Sequence, residues 1–245
     1  MDPTAHPAPG SDAAWGGGEG SHEAKFCVPA TGVPNVMGLM EERLARDESF
    51  PTARVSSLYY DTPDLQFVGH KTNSDYLKLK VRLRWYDDPI SGATDPDAFF
   101  EVKAKEGAER RKLRVALKGE APHLAGLDLM SAELAGLPVR LAHAGPPLPP
   151  GLEPFVVVSY LRKRFVLART GTRISLDWDI RVARSHPRFG PVPDRPLDTA
   201  VVELKGDQRV LPPELRGLTD LGARLASFSK YGHCADRVLG TASAW

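Results

Sequence analysis

Leu77-Lys78-Leu79-Lys80-Val81-Arg82-Leu83-Arg84 decides how the rest of this chain is read. Apolar and basic residues alternate without a break, the period of a β-strand with one dry face and one polar face. Leu77, Leu79, Val81 and Leu83 share the first face; Lys78, Lys80, Arg82 and Arg84 share the second. Cations on such a face stand about 7 Å apart. In water each neighbouring pair repels by roughly 0.6 kcal/mol, and at an effective dielectric near 20 by about 2.4 kcal/mol. Exposed, the stripe costs little; enclosed, it calls for an anion.

Other segments follow the same rule. Glu101, Lys103 and Lys105 oppose Phe100, Val102 and Ala104, and Arg110–Leu117 forms a further strand beyond a Gly107 turn. Arg173, Ser175, Asp177 and Asp179 oppose Ile174, Leu176, Trp178 and Ile180; Glu203 and Lys205 oppose Val202 and Leu204. Tyr160, Arg162 and Arg164 share a face, with Lys163 on the other side. With strands also at 23–28 and 54–60, the count is about eight, plus some three helices. Those helices are a segment after Thr31 with Val36, Leu39, Met40 and Leu44 on one face, a piece near Leu127–Leu137, and a Leu215–Leu225 stripe. Such a set predicts an α+β protein built on an antiparallel sheet or barrel with appended helices. Two arrangements satisfy the alternation. The charged face meets solvent on a sheet backed by helices, or it points into a barrel that holds a polyanion.

The whole-chain numbers narrow the function classes. The chain has 245 residues, 42% hydrophobic and 26% charged, a globular composition with room for a core. Lys+Arg 32 against Asp+Glu 31 argues against a general nucleic-acid coat. Cys27 and Cys234 lie far apart and without CxxC spacing, so neither a disulfide framework nor a cysteine zinc site is expected, and a reducing cytoplasm suits the chain. No apolar run approaches membrane-spanning length. Residues 1–22, rich in Gly, Pro and Ala and with no signal-peptide pattern, are expected to form a disordered tail ahead of a domain at 23–240. No GxxxxGK[ST] loop is present.

HEAKF at 22–26, SSLYYDTP at 56–63, KLKVRLRWY at 78–86, FFEVK at 99–103, RRKLRV at 110–115, YLRKRF at 160–165, TRISLD at 172–177, VVELK at 201–205 and SFSKY at 227–231 follow one another in this order. The set resembles the VTC (vacuolar transporter chaperone) domain, the polyphosphate-polymerase type within the triphosphate tunnel metalloenzymes. It extends from about residue 23 to 235. The resemblance implies an eight-stranded antiparallel β tunnel with appended helices. It implies transfer of the terminal phosphoryl group of ATP to a growing polyphosphate chain, with Mn²⁺ or Mg²⁺. Matched by motif, Lys25, Arg82, Arg84, Lys103, Arg162, Arg173 and Lys230 would grip the reacting phosphates. Lys78, Lys80, Lys112, Arg114, Lys205 and Ser229 would add substrate contacts, and Glu203, with Glu101 and Glu23 behind it, would hold the metal. ATP and polyphosphate or pyrophosphate are the implied partners; no nucleic acid is implied, and any membrane role would need a partner protein. Ser227 stands where family polymerases commonly carry a basic residue. The regulatory domain and membrane helices of the eukaryotic complexes are missing from this sequence, so coupled translocation does not carry over. A triphosphate hydrolase and a non-catalytic polyphosphate-binding module are the competing readings.

Overall fold

The computed structural model describes residues 16–17, 22–50, 52–72, 76–107, 109–141, 145–206 and 210–241. In chain order the elements are β1 (Gly16–Gly17), β2 (His22–Pro29), α1 (Val33–Arg43), β3 (Ala45–Arg46), β4 (Ala53–Asp61), α2 (Gln66–Thr72), β5 (Leu77–Asp87), β6 (Ala98–Glu106) and β7 (Glu109–Leu117). There follow α3 (Ala121–Gly126), α4 (Ala132–Leu141), β8 (Glu153–Leu167), β9 (Thr172–Ser185), β10 (Thr199–Gly206), α5 (Gly217–Asp220), β11 (Arg224–Leu225) and α6 (Lys230–Leu239). Eight of these strands have eight residues or more, the number the alternation predicts.

The chain divides into two compact units. One comprises Met1–Gly18, Tyr59–Trp85 and Asp95–Pro154; the other comprises Glu19–Leu58, Tyr86–Thr94 and Phe155–Trp245. In the first, antiparallel strands run in the order β1-β7-β6-β5. Leu79, Val81 and Leu83 of β5, Phe100 and Val102 of β6, and Leu113, Val115 and Leu117 of β7 are buried. Each such side chain contributes about 1.5–3 kcal/mol of transfer energy, which settles which face of every strand is dry. α3 and α4 add Leu124, Leu134, Leu137 and Leu141, and the Tyr60 hydroxyl donates to the Leu134 carbonyl at 3.0 Å.

The second unit has the antiparallel order β8-β9-β10-β2-β11, with β3 on β8. Its apolar face packs Phe26, Phe165, Ile174, Leu176, Val202 and Leu204 against Val36 and Met40 of α1. The opposite face is left to charge. Lys163 leaves that face and pairs with Glu41 of α1, as the alternation requires.

Several expectations need correction. Among the described residues no pairing returns either strand order on itself, so the hydrogen-bonded sheet is not a closed barrel. Two-residue strands, β1 on β7 and β11 on β2, cover part of the outer edges and are too short to carry the ladder onward. Thr31 does not cap α1: residues Ala30–Gly32 form a 3₁₀ turn, and Pro34 starts the helix where a proline is tolerated. The Leu215–Leu225 stripe is not one helix. Leu215 and Leu218 are buried, but Gly222 takes φ +84° and turns the chain into β11, leaving Leu225 exposed. The 127–137 piece is helical only from Ala132 onward, in α4, while α3 ends ahead of it at Gly126. Of the expected tail, residues 1–15 and 18–21 lie outside the described residues; Gly16 and Gly17 pair with Lys112 and Arg111.

Candidate functional site

The register of β5, β6 and β7 arranges the basic face of the first unit into rows. Lys78, Lys105 and Arg110 stand abreast; next come Lys80, Lys103 and Lys112; then Arg82, Glu101 and Arg114; and last Arg84, Phe99 and Ala116. Side chains in a row are separated by one strand spacing, about 4.8 Å. At that distance two cations repel by about 0.9 kcal/mol in water and about 3.5 kcal/mol at a dielectric of 20. Nine cations share this face, and Glu101 is its one carboxylate among the described residues.

Glu101 is 2% exposed and both its oxygens are held. Arg82 donates from Nε to Oε2 at 2.7 Å, with Nη2 2.5 Å away, and Arg84 lies 3.9 Å from the same oxygen. Lys112 approaches Oε1 to 3.0 Å and Arg114 to 3.9 Å. Burial pushes the Glu101 carboxyl up, but Arg82, Arg84, Lys112 and Lys103 together hold it far below the usual carboxylate range. Arg82 also donates to the Tyr59 hydroxyl at 3.2 Å, and Arg114 stacks 3.9 Å over Phe99. Guanidinium planes fixed in this way are already positioned for bidentate phosphate contact.

The second unit gathers a different cluster. Arg162 of β8 grips Asp177 of β9 at 2.5 and 2.6 Å and donates to Glu203 of β10 at 2.9 Å. Lys230, the first residue of α6, bridges Asp177 at 2.6 Å and Glu203 at 2.8 Å. Lys25 of β2 lies 3.9 Å from Glu203, 3.1 Å from Glu23, and donates to the Phe228 carbonyl at 3.0 Å. The Tyr160 ring faces both Arg162, at 5.3 Å, and Lys230, at 4.9 Å. For Glu203 and Lys230 burial opposes the charge, and the opposite charges win. Glu203 is held well below its ordinary value by Lys230, Arg162 and Lys25. Lys230 is raised by Asp177 and Glu203. Lys205 goes the other way: burial, with Arg162 nearby, lowers its ammonium despite Glu203.

Ser229 explains how Lys230 reaches this cluster. Its Oγ accepts from the Gly232 N–H at 3.1 Å, capping α6, so Lys230 enters the first turn at a fixed angle. At the other end Gly240, φ +65°, stops the helix. SSLYYDTP is a structural motif as well. The buried Asp61 carboxylate accepts from the N–H groups of Thr62, Phe67 and Val68 at 2.8, 2.8 and 3.0 Å, tying the end of β4 to α2.

With this geometry in view, comparison with protein families is decisive: the model of the VTC domain matches residues 21–126 and 149–239. The chain belongs to the VTC domain family. Comparison with curated proteins finds no match for this VTC domain. Among solved structures it is similar to a Hippeastrum protein named as an adenylyl cyclase and reported to have a dominant triphosphatase activity. That pair shares 14% identity over 91% of this chain and 97% of the other, with a TM-score of 0.47. A Vibrio parahaemolyticus protein named as an adenylate cyclase shares 16% identity, over 89% and 99% of the two chains, TM-score 0.47. The Mimivirus capping-enzyme triphosphatase shares 12%, over 83% and 89%, TM-score 0.34.

The structure places Lys78, Lys80, Arg82, Arg84, Glu101, Lys103, Lys112 and Arg114 of this VTC domain on one face of the first unit. Lys25, Arg162, Glu203 and Lys230 form the charge cluster of the second. Arg173 and Lys205 are cross-strand partners there, with Arg173 exposed. Asp177, on a strand face next to arginines, is expected to pair with one of them, and it pairs with Arg162; sequence reasoning missed its second partner, Lys230, and the parts played by Tyr59 and Tyr160. The Arg and Asp of YLRKRF and TRISLD become neighbours only through the β8–β9 register, Arg162 opposite Asp177. Ser227 is exposed just ahead of α6.

Glu203 and Glu23 offer hard carboxylate oxygens, the donor chemistry Mn²⁺ and Mg²⁺ require. Among the described residues no three His, Cys, Asp or Glu side chains converge on one point. For such an ion one or two protein carboxylates can be completed by substrate phosphates. Among the described residues no helix is long and apolar enough to cross a membrane.

Proposed function

We propose that this VTC domain is an ATP-dependent polyphosphate polymerase. The observation that carries the reading is the nine-to-one excess of cations on the β5–β7 face, in a chain of this family. Repeated negative charge laid along such a face relieves its mutual repulsion. In the reaction the bond between the γ-phosphorus of ATP and the oxygen of ADP breaks. An oxygen of the chain-terminal phosphate bonds to that phosphorus, and ADP leaves with the electron pair. Positioning and charge stabilisation suffice for this step. Lys230, Arg162, Lys25 and Arg173 would bear on the transferring phosphoryl oxygens, with Lys205 beside them. Arg82, Arg84 and Lys103 would align the phosphate chain, assisted by Lys78, Lys80, Lys112 and Arg114. Glu101 would serve chiefly as their counter-ion. Glu203, with Glu23 near it, would hold Mn²⁺ or Mg²⁺, which when bound adds positive charge at the same oxygens. The capping bond of Ser229 would keep Lys230 aimed. Free Cys27 and Cys234 support work in the reducing cytoplasm.

The test is incubation of the purified protein with ATP and Mn²⁺, with and without pyrophosphate, followed by gel resolution of polyphosphate. A ladder is expected. Glu203→Gln should lower turnover by about a hundredfold and abolish metal stimulation while retaining tripolyphosphate binding. Free phosphate without a ladder would replace the polymerase by a hydrolase. Tight polyphosphate binding with neither product would make the chain a binding module, with Ser227 the first position to restore.

A further inference from the structure

We infer that the β5–β7 face discriminates long polyanions from short ones, and that Lys105 and Arg110 grip the chain beyond the reach of a triphosphate. The inference rests on the proposed function for the kind of anion and adds to it a determinant of length. Lys78, Lys105 and Arg110 form the row farthest from Arg84, followed by Lys80, Lys103 and Lys112. The first row lies four residues along β5 from Arg82, about 14 Å.

Exposure differs across the face. Arg82 and Arg84 are each 11% exposed, whereas Lys103, Lys105, Arg110 and Arg114 are open to solvent. The β5 side of the inner end is therefore enclosed, and the outer end is accessible from β6 and β7. No carboxylate occupies either of the two outer rows, while Glu101 offsets part of the charge of the third. A compact anion that satisfies Arg82 and Arg84 leaves the outer row unmet; only an anion whose charge repeats along its length meets both. The two outer rows hold only Lys and Arg, which favours a chain of repeated phosphate; the exposed Tyr76 ring lies beside Gly107 just past the outer row, so binding of an oligonucleotide is measured alongside polyphosphate.

The experiment compares dissociation constants of the whole protein for inorganic tripolyphosphate and for long-chain polyphosphate at one ionic strength. Lys105→Ala with Arg110→Ala should weaken long-chain binding on the order of tenfold and tripolyphosphate binding by less than about twofold. The salt dependence of long-chain binding should flatten in the variant. Both side chains are exposed, so the retained tripolyphosphate affinity also reports an intact fold. Equal losses for the two ligands, unchanged long-chain affinity, or equally tight binding of a single-stranded oligonucleotide by the native protein would each overturn the inference. Absence of a ladder from ATP would remove the polymerase reading alone and leave this comparison standing.

Discussion

A single carboxylate, Glu101, neutralises the most enclosed part of a strongly basic face. Removing its charge leaves Arg82 and Arg84 facing one another with little solvent to screen them. Glu101→Gln should therefore cost about 3–5 kcal/mol of stability, the usual penalty for breaking a buried pair. Tripolyphosphate should restore more of the lost thermal midpoint in this variant than it adds to the native protein. A loss below about 0.5 kcal/mol, typical of surface changes, would show that Glu101 is not the counter-ion. Most of this face was legible one residue at a time, since alternation alone assigned Lys78, Lys80, Arg82 and Arg84 to it. What alternation does not supply is who stands beside whom. Arg82 opposite Glu101, and Arg162 opposite Asp177, depend on strand register, and register is set by pairings distant in sequence.

Among the elements, α6 matters most, because it carries Lys230 into a cluster built otherwise from strands. Ser229→Ala removes its cap and should cost about 1 kcal/mol, with Ser229→Asp recovering most of it; thermal or urea unfolding measures both. If the alanine variant loses turnover without losing stability, Ser229 acts on the phosphate rather than through the helix. The start of α6 was written in Ser229, but the leucine stripe before it attracted the helical reading instead. Leu215 and Leu218 do reach the core, yet α5 ends after four residues at Asp220, and the left-handed backbone of Gly222 just beyond outweighs the spacing. α2 escaped notice for a related reason. Seven residues long, it is organised by the Asp61 carboxylate rather than by an apolar stripe.

At the level of the whole molecule, a formal charge of +1 conceals strong segregation. The family resemblance implies an eight-stranded β tunnel or barrel, and the eight long strands and their antiparallel pairing match it, while among the described residues hydrogen bonding does not close either strand order. Closure depends on what the outer strand edges meet, and side-chain alternation is blind to edges. The depressed carboxylates Glu101 and Glu203 couple stability to acidity. Each binds its proton less readily when folded than when unfolded. Their contribution is thus complete above the ordinary value of 4.5 and is lost as pH falls below it. Thermal midpoints should be flat from neutrality to about pH 5 and drop steeply beneath, less steeply in Glu203→Gln. An undiminished slope in that variant would remove Glu203 as a source.

The pairing of β2 with β10 has a consequence in time. The long-range backbone partners of β2 among the described residues lie in β10, in β11 and at Ala226 just after it, so His22–Pro29 finds its place only after Thr199–Gly206 has been made. At about 5–20 residues per second, that interval on the ribosome is on the order of ten to thirty seconds. Throughout it, the strand that carries Lys25 waits as an unpaired edge, and the second unit cannot complete its sheet until Thr199–Gly206 has emerged.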